Sequence, residues 1–187
     1  MSHLVQVDQN NIITQDFLGY GAEWDSRNYP NIGVTDDEFA LICKRLDWMR
    51  MPVARIMMIG HWCYEGNDTY DFESTQMQAL YRHLDFCEAR GMTVFLTDWG
   101  CEPDWLNCPD VKDIADSRYA EIIATYMTHL FDVKGYTCIK HFIMCNEPNY
   151  EVGNFDRWQA GIRNVHAALT KVGMIDRVIF TGTDMVD

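Results

Sequence analysis

Apolar runs of strand length recur along the chain with an amphipathic segment between each pair. They read "FLGYGAEW" from Phe17, "VARIMMIG" from Val53, "TVFLTDW" from Thr93, "IKHFIMC" from Ile139 and "RVIFTG" from Arg177. This is the β-α-β-α rhythm of a parallel sheet. Three of the intervening helices are marked by apolar residues three and four apart: Met77, Leu80, Tyr81, Leu84 and Cys87; Tyr119, Ile122, Ile123, Tyr126 and Leu130; Phe155, Trp158, Ile162, Val165 and Leu169. Each of these meets a glycine at its end, Gly91, Gly135 and Gly173, where a left-handed cap costs little. Thr35-Asp36-Asp37-Glu38 predicts the capped start of the first helix, which must stop before Pro52. Ahead of these units "LVQVDQNNIIT" predicts two short strands around Gln9-Asn10-Asn11, a hairpin within 3–14. No repeat, low-complexity tract or linker interrupts the pattern, so residues 1–187 are expected to form one domain.

Five strands and four helices fit two α/β architectures. In an open doubly wound sheet "GYGAEW" would be a phosphate loop, but Trp24 stands where its third glycine belongs and Glu23 would face the pyrophosphate. The alternative is a (β/α)8 TIM barrel. Each unit here takes about 40 residues, so eight would need on the order of 300, within the range of that fold. The chain is therefore read as an incomplete barrel holding the first five strands.

Composition narrows the function. The 187 residues are 48% apolar and 13% aromatic, enough for a substantial core. Fifteen basic against 28 acidic side chains leave a formal charge of −13, which repels nucleic acid and anionic membranes. The seven cysteines form no CxxC pair and read as reduced core thiols, so no metal is expected. No signal segment or membrane span is visible, which reads as a cytoplasmic chain; a signal peptide already removed would leave the same sequence and an extracellular one.

Polar and aromatic residues gather after the strands. Glu23, Trp24 and Asp25 follow the first; His61, Trp62 and Tyr64 the second; Asp98, Trp99, Glu102 and Trp105 the third; Asn146 and Glu147 the fourth; Thr183 and Asp184 the fifth. In a barrel those carboxyl ends share the rim that carries catalysis. Carboxylates beside flat aromatic rings suit sugars, whose apolar face packs on an indole while the hydroxyls need charged or amide partners. Each residue also has a plain structural use: a lone tryptophan is more often core, and Asn-Glu-Pro-Asn is an ordinary strand ending.

Taken together these motifs resemble the retaining glycoside hydrolases of clan A, particularly families 30, 39 and 5. "CNEPN" reproduces the Asn-Glu-Pro that ends their fourth strand, and Arg55 in "VARIMMIGHW" matches a second-strand arginine. "DWGCEPDWLN" is similar to a third strand running into a Pro-x-Trp turn, and "TQDFLGYGAEW" to a first strand with a Gly-aromatic-Gly turn. Ile143 and Cys145 depart from some members, and the glutamate nucleophile expected after a seventh strand is not among these residues.

The resemblance implies hydrolysis of β-glycosidic bonds in an oligo- or polysaccharide by double displacement, without cofactor or metal. Two carboxyls roughly 5 to 5.5 Å apart are required. Glu147 would be the general acid/base, Asn146 would hold the sugar's 2-hydroxyl, and Arg55 would keep the nucleophile ionised. Trp24, Trp62, Trp99 and Trp105 are expected to present sugar platforms, with Asp98 and Asp184 as substrate-binding carboxylates flanking Glu147. The expected partners are a β-linked carbohydrate and either a second copy of the chain or a missing carboxy-terminal half-barrel, since alone the chain would lack its nucleophile. Two rivals stay open: a carbohydrate-binding barrel without catalysis and an open-sheet nucleotide-binding protein.

Overall fold

The computed structural model of the chain describes residues 8, 10–100 and 110–182. The strands are β1 (Gly21–Glu23), β2 (Val53–Met58), β3 (Tyr64–Gly66), β4 (Thr69–Tyr70), β5 (Thr93–Asp98), β6 (Ile139–Ile143) and β7 (Ile179–Phe180). Five of them form one parallel sheet in the order β1-β2-β5-β6-β7. Each strand lies beside the next β/α unit in sequence, with no reversal of order, as in successive units of a β/α barrel. Both β1 and β7 are sheet edges.

The helices are α1 (Tyr29–Ile32), α2 (Asp36–Met49), α3 (Thr75–Ala89), α4 (Ser117–Thr128), α5 (Pro148–Glu151) and α6 (Phe155–Lys171), with a π-helical turn over His129–Val133. Their ends follow the sequence chemistry. Thr35 and Glu38 close a reciprocal capping box at α2, while Ser74, Asp116 and Asn154 accept backbone N–H groups at α3, α4 and α6. Gly91, Gly135 and Gly173 all take left-handed φ values. The end of α2 differs, because Arg50 itself adopts the left-handed cap at φ 52°.

Alternation along the strands separates two faces. Ala54, Ile56, Met58, Val94, Leu96 and Phe142 point to the helices and are fully buried against residues such as Leu80, Leu84, Tyr119, Ile123 and Leu130. Burying one such side chain stabilises by roughly 1.5–3 kcal/mol, so this layer dominates the fold. The opposite face carries a row in register, Glu23, Arg55, Phe95, His141 and Ile179. All five keep some exposure. His141 stacks on Phe95 at 3.9 Å and its Nδ1 meets the Thr181 hydroxyl at 2.9 Å.

Two local features differ from the sequence reading. A small hairpin, β3–β4, follows β2, its turn made by Asn67 and Asp68, both left-handed as a tight hairpin turn requires. Of the hairpin expected within 3–14, residues 3–7 and 9 lie outside the described residues, while 10–14 are exposed and form a turn and irregular backbone instead of the expected second strand. Of its turn, Asp8 accepts the N–H of Asn10 on its side chain and that of Asn11 on its carbonyl.

Candidate active site

Arg55 organises the exposed end of the sheet. From the middle of β2 its Nε donates to the Thr97 hydroxyl at 3.1 Å and its Nη2 to Asn146 Oδ1 at 2.7 Å. Nη1 stands 3.8 Å from the Glu23 carboxylate, whose side chain is 45% exposed. One planar guanidinium thus spans residues of β1, β5 and the end of β6, which the rigid fork of arginine suits better than a flexible lysine. With its oxygen held by Arg55, the buried Asn146 amide has a fixed orientation at the end of the sheet.

Glu147 follows directly. Its backbone sits in the left-handed region at φ 42°, ψ 57°, which costs a non-glycine residue about 1–2 kcal/mol. The bend is held by what comes next: Pro148 opens α5, and the Glu147 carbonyl accepts the N–H groups of Tyr150 and Glu151, each at 2.9 Å. Strain of this kind concentrates at functional sites. The bend takes the Glu147 side chain out of the buried run Phe142–Asn146 and leaves it half-buried.

Three expected sugar-facing residues lie elsewhere. Trp24 follows Glu23, so alternation turns it to the helix side; it is 8% exposed, packed on His83, Phe86 and Phe39, and its indole N–H donates to Tyr29. Trp62, in a single 3-10 turn after β2, is 5% exposed and belongs to the core. Asp98 also points to the helix side, with no exposed surface, its carboxylate accepting the Tyr119 hydroxyl and the Gly100 N–H. None of the three offers a surface to a sugar.

Trp99 keeps a rim position. It is half-buried, its indole N–H donates to Glu151 at 3.2 Å, and the Arg27 guanidinium lies 3.9 Å over its ring. Arg27 in turn pairs with Asp25 at 3.2 Å, which locks the loop after β1 to the loop after β5. His61 is also half-buried on this rim. Glu102, Trp105, Thr183 and Asp184 lie outside the described residues. Glu23, grouped with Trp24 at the end of the first strand but given no role there, lies on the same face as Arg55. Among the described residues no cluster of three or more metal-ligating side chains occurs, and no helix is long and apolar enough to cross a membrane.

No family model and no curated protein matches the chain. Solved structures do. A family 39 glycoside hydrolase from Xanthomonas axonopodis pv. citri matches 90% of this chain with 35% of its own, at 15% identity and a TM-score of 0.61. An exo-β-1,4-mannosidase from Opitutaceae bacterium strain TAV5 matches 90% with 33% of its own, at 16% identity and 0.60. An endoglucanase from Pseudomonas stutzeri matches 76% with 43%, at 16% identity and 0.56. The chain thus spans about a third to under a half of these structures. It has the fold of the amino-terminal part of a TIM barrel, on the architecture shared by family 39, family 5 and other clan A glycoside hydrolases.

Proposed function

We propose that residues 1–187 form one incomplete barrel domain carrying the acid/base half of a retaining β-glycoside hydrolase site. The observation that carries this reading is the Arg55–Asn146 bond at 2.7 Å, which fixes Asn146 beside Glu147 where β6 ends. Glu147 donates its proton to the leaving glycosidic oxygen, then recovers one from the attacking water. Asn146 offers its NH2 group to the sugar 2-hydroxyl, an interaction that strengthens as the oxocarbenium-like transition state forms. Glu23, across the Arg55 guanidinium, grips a further hydroxyl through a charge-assisted hydrogen bond. Trp99 braces the rim, and Trp105 and Asp184 keep their expected role as further sugar contacts.

The nucleophile belongs to the units that would close the barrel, whether further along a longer chain or in a partner. Its carboxylate would meet the same Arg55, so Glu23 occupies part of that field in the chain as it stands. Alone, the chain binds β-linked sugar and turns it over slowly or not at all. The test is hydrolysis of a panel of aryl β-glycosides and β-linked polysaccharides between pH 4 and 8, beside Glu147→Gln. Rapid hydrolysis lost in the variant would keep the role of Glu147 and overturn the need for a distant nucleophile. Sugar affinity unaffected by changes at Glu147, Asn146 and Arg55 together would overturn the whole assignment.

A further inference from the structure

Asp98 takes no part in the chemistry above, yet among the described residues it is the one carboxylate with no exposed surface. Its Oδ1 accepts the Gly100 N–H at 2.8 Å, its Oδ2 the Tyr119 hydroxyl, and the Gly60 N–H donates to the same carboxylate. The donors come from different elements. Gly60 opens the turn after β2 that carries His61, Gly100 follows β5, and Tyr119 belongs to α4. Two further contacts reach the segment after β6: the Tyr119 hydroxyl oxygen also lies 3.2 Å from the Met144 carbonyl, and the Asp98 carbonyl accepts the Asn146 N–H at 3.1 Å. A single residue therefore joins the carboxyl ends of β2, β5 and β6.

We propose that Asp98 is a positioning residue, its ionised carboxylate holding three strand ends so that Asn146 and Glu147 stand correctly against Arg55. The inference rests on the glycosidase reading only for the importance of those two residues. Three fixed donors need an acceptor-only group, which a carboxylate is and a protonated acid is not. The cradle is close: a Cβ on residue 100 would lie 3.2 Å from Asp98 Oδ1 and 2.8 Å from Ile59 Cγ2, so glycine lets its N–H reach the carboxylate. Burial raises this carboxyl more than the Tyr119, Gly100 and Gly60 donors lower it, and the balance is about 6. The ionisable side chains of α4 that face it are Tyr119 and Tyr126, the latter pushed well above its ordinary value by burial. From β6 and the turn after β2 it meets backbone groups, the N–H of Asn146 on its carbonyl and that of Gly60 on its carboxylate.

The test is a pH titration from 4.5 to 7.5 of the nitrogen-15-labelled chain by NMR, following the backbone and side-chain amides of Asn146 and the Arg55 Nε–H. These signals should move together with a midpoint near 6 in the native chain and in Glu147→Gln. In Asp98→Asn, which keeps the shape and removes the titration, they should stay flat. Tyr119→Phe removes a donor to the carboxylate and should shift the midpoint upward; if Asp98→Asn does not fold, this variant decides. Signals that still titrate in Asp98→Asn, that go flat in Glu147→Gln, or that keep their midpoint in Tyr119→Phe overturn the proposal. The readout needs no sugar, so failure of the chain to bind a β-1,4-linked trisaccharide would defeat the glycosidase reading while leaving this result to stand or fall separately.

Discussion

Burial gives His83 and Asp98 opposite effects on how stability should vary with pH, and separating the two is a quantitative test of the packing. His83 has no exposed surface; its ring lies 4.2 Å from Trp24 and 4.6 Å from Tyr29, and its Nδ1 donates to the Ala79 carbonyl at 2.8 Å. Its buried Nε2 has no hydrogen-bond partner among the described residues, so an added proton would find no acceptor. Burial lowers its pKa from 6.5 to about 4, so the unfolded chain takes up the proton first and stability falls as pH drops through that interval. Asp98 has the opposite sign: burial raises it from 3.8 to about 6, the folded chain takes up the proton first, and stability rises as pH falls from about 6 toward 3.8. At about 1.4 kcal/mol per pH unit of separation, each interval is worth about 3 kcal/mol, and the two nearly cancel. Asp98→Asn should expose the His83 slope, losing about 3 kcal/mol between pH 6.5 and 4 relative to the native chain. His83→Leu should expose the Asp98 slope, gaining a similar amount toward low pH. Urea unfolding at half-unit pH steps measures both, and the remaining carboxylates cancel in the differences. Three parallel profiles would show that neither group is buried as described.

Other perturbations test separate parts. Glu23→Gln should weaken binding of a β-1,4-linked trisaccharide about tenfold, the loss of roughly 1.5 kcal/mol in a charge-assisted hydrogen bond; an unchanged dissociation constant by calorimetry would remove Glu23 from the site. Gly161→Ala places a Cβ 2.8 Å from the Ile114 carbonyl oxygen, and that overlap outweighs the helix-propensity gain of about 1 kcal/mol. The variant should lose about 1–2 kcal/mol on balance, and a higher urea midpoint would contradict the close approach of α6 to the segment before α4. The chain should also associate, because among the described residues nothing pairs with the outer edges of β1 and β7, and α2 exposes Leu41, Met49 and Trp48, the last at 85%. Light scattering should report oligomers that Trp48→Glu reduces, whereas a native monomer at high concentration would contradict this.

The strand and helix order was legible because each unit announces itself twice, by an apolar run and by cap chemistry at Thr35, Gly91, Gly135 and Gly173. Arg55 and Asn146, which the structure joins by a hydrogen bond, stand out in the sequence because each is a polar group at or within an apolar run. Trp24 and Asp98 were misplaced for one shared reason. Residues gathered at a strand ending do not share one face, because side chains on successive residues point to opposite faces. Read by alternation, Glu23 rather than Trp24 falls in line with Arg55, and Thr97 and Trp99 rather than Asp98 face the barrel interior. The burial of Trp62 escaped this logic, since it sits in a 3-10 turn where no period of two applies. The β3–β4 hairpin carried a signal in Gly66-Asn67-Asp68, which the larger rhythm of the chain obscured.

The central claim is that Glu147 donates a proton within a site whose nucleophile comes from elsewhere. It is tested most directly by supplying the nucleophile: cleavage of aryl β-glycosides with poor leaving groups by this chain, with and without concentrated sodium formate, beside Glu147→Gln. Slow or absent cleavage that formate restores in the native chain, and does not restore in Glu147→Gln, is the predicted result. Equal rates in the two chains, or no formate-dependent cleavage of any β-glycoside, would contradict it.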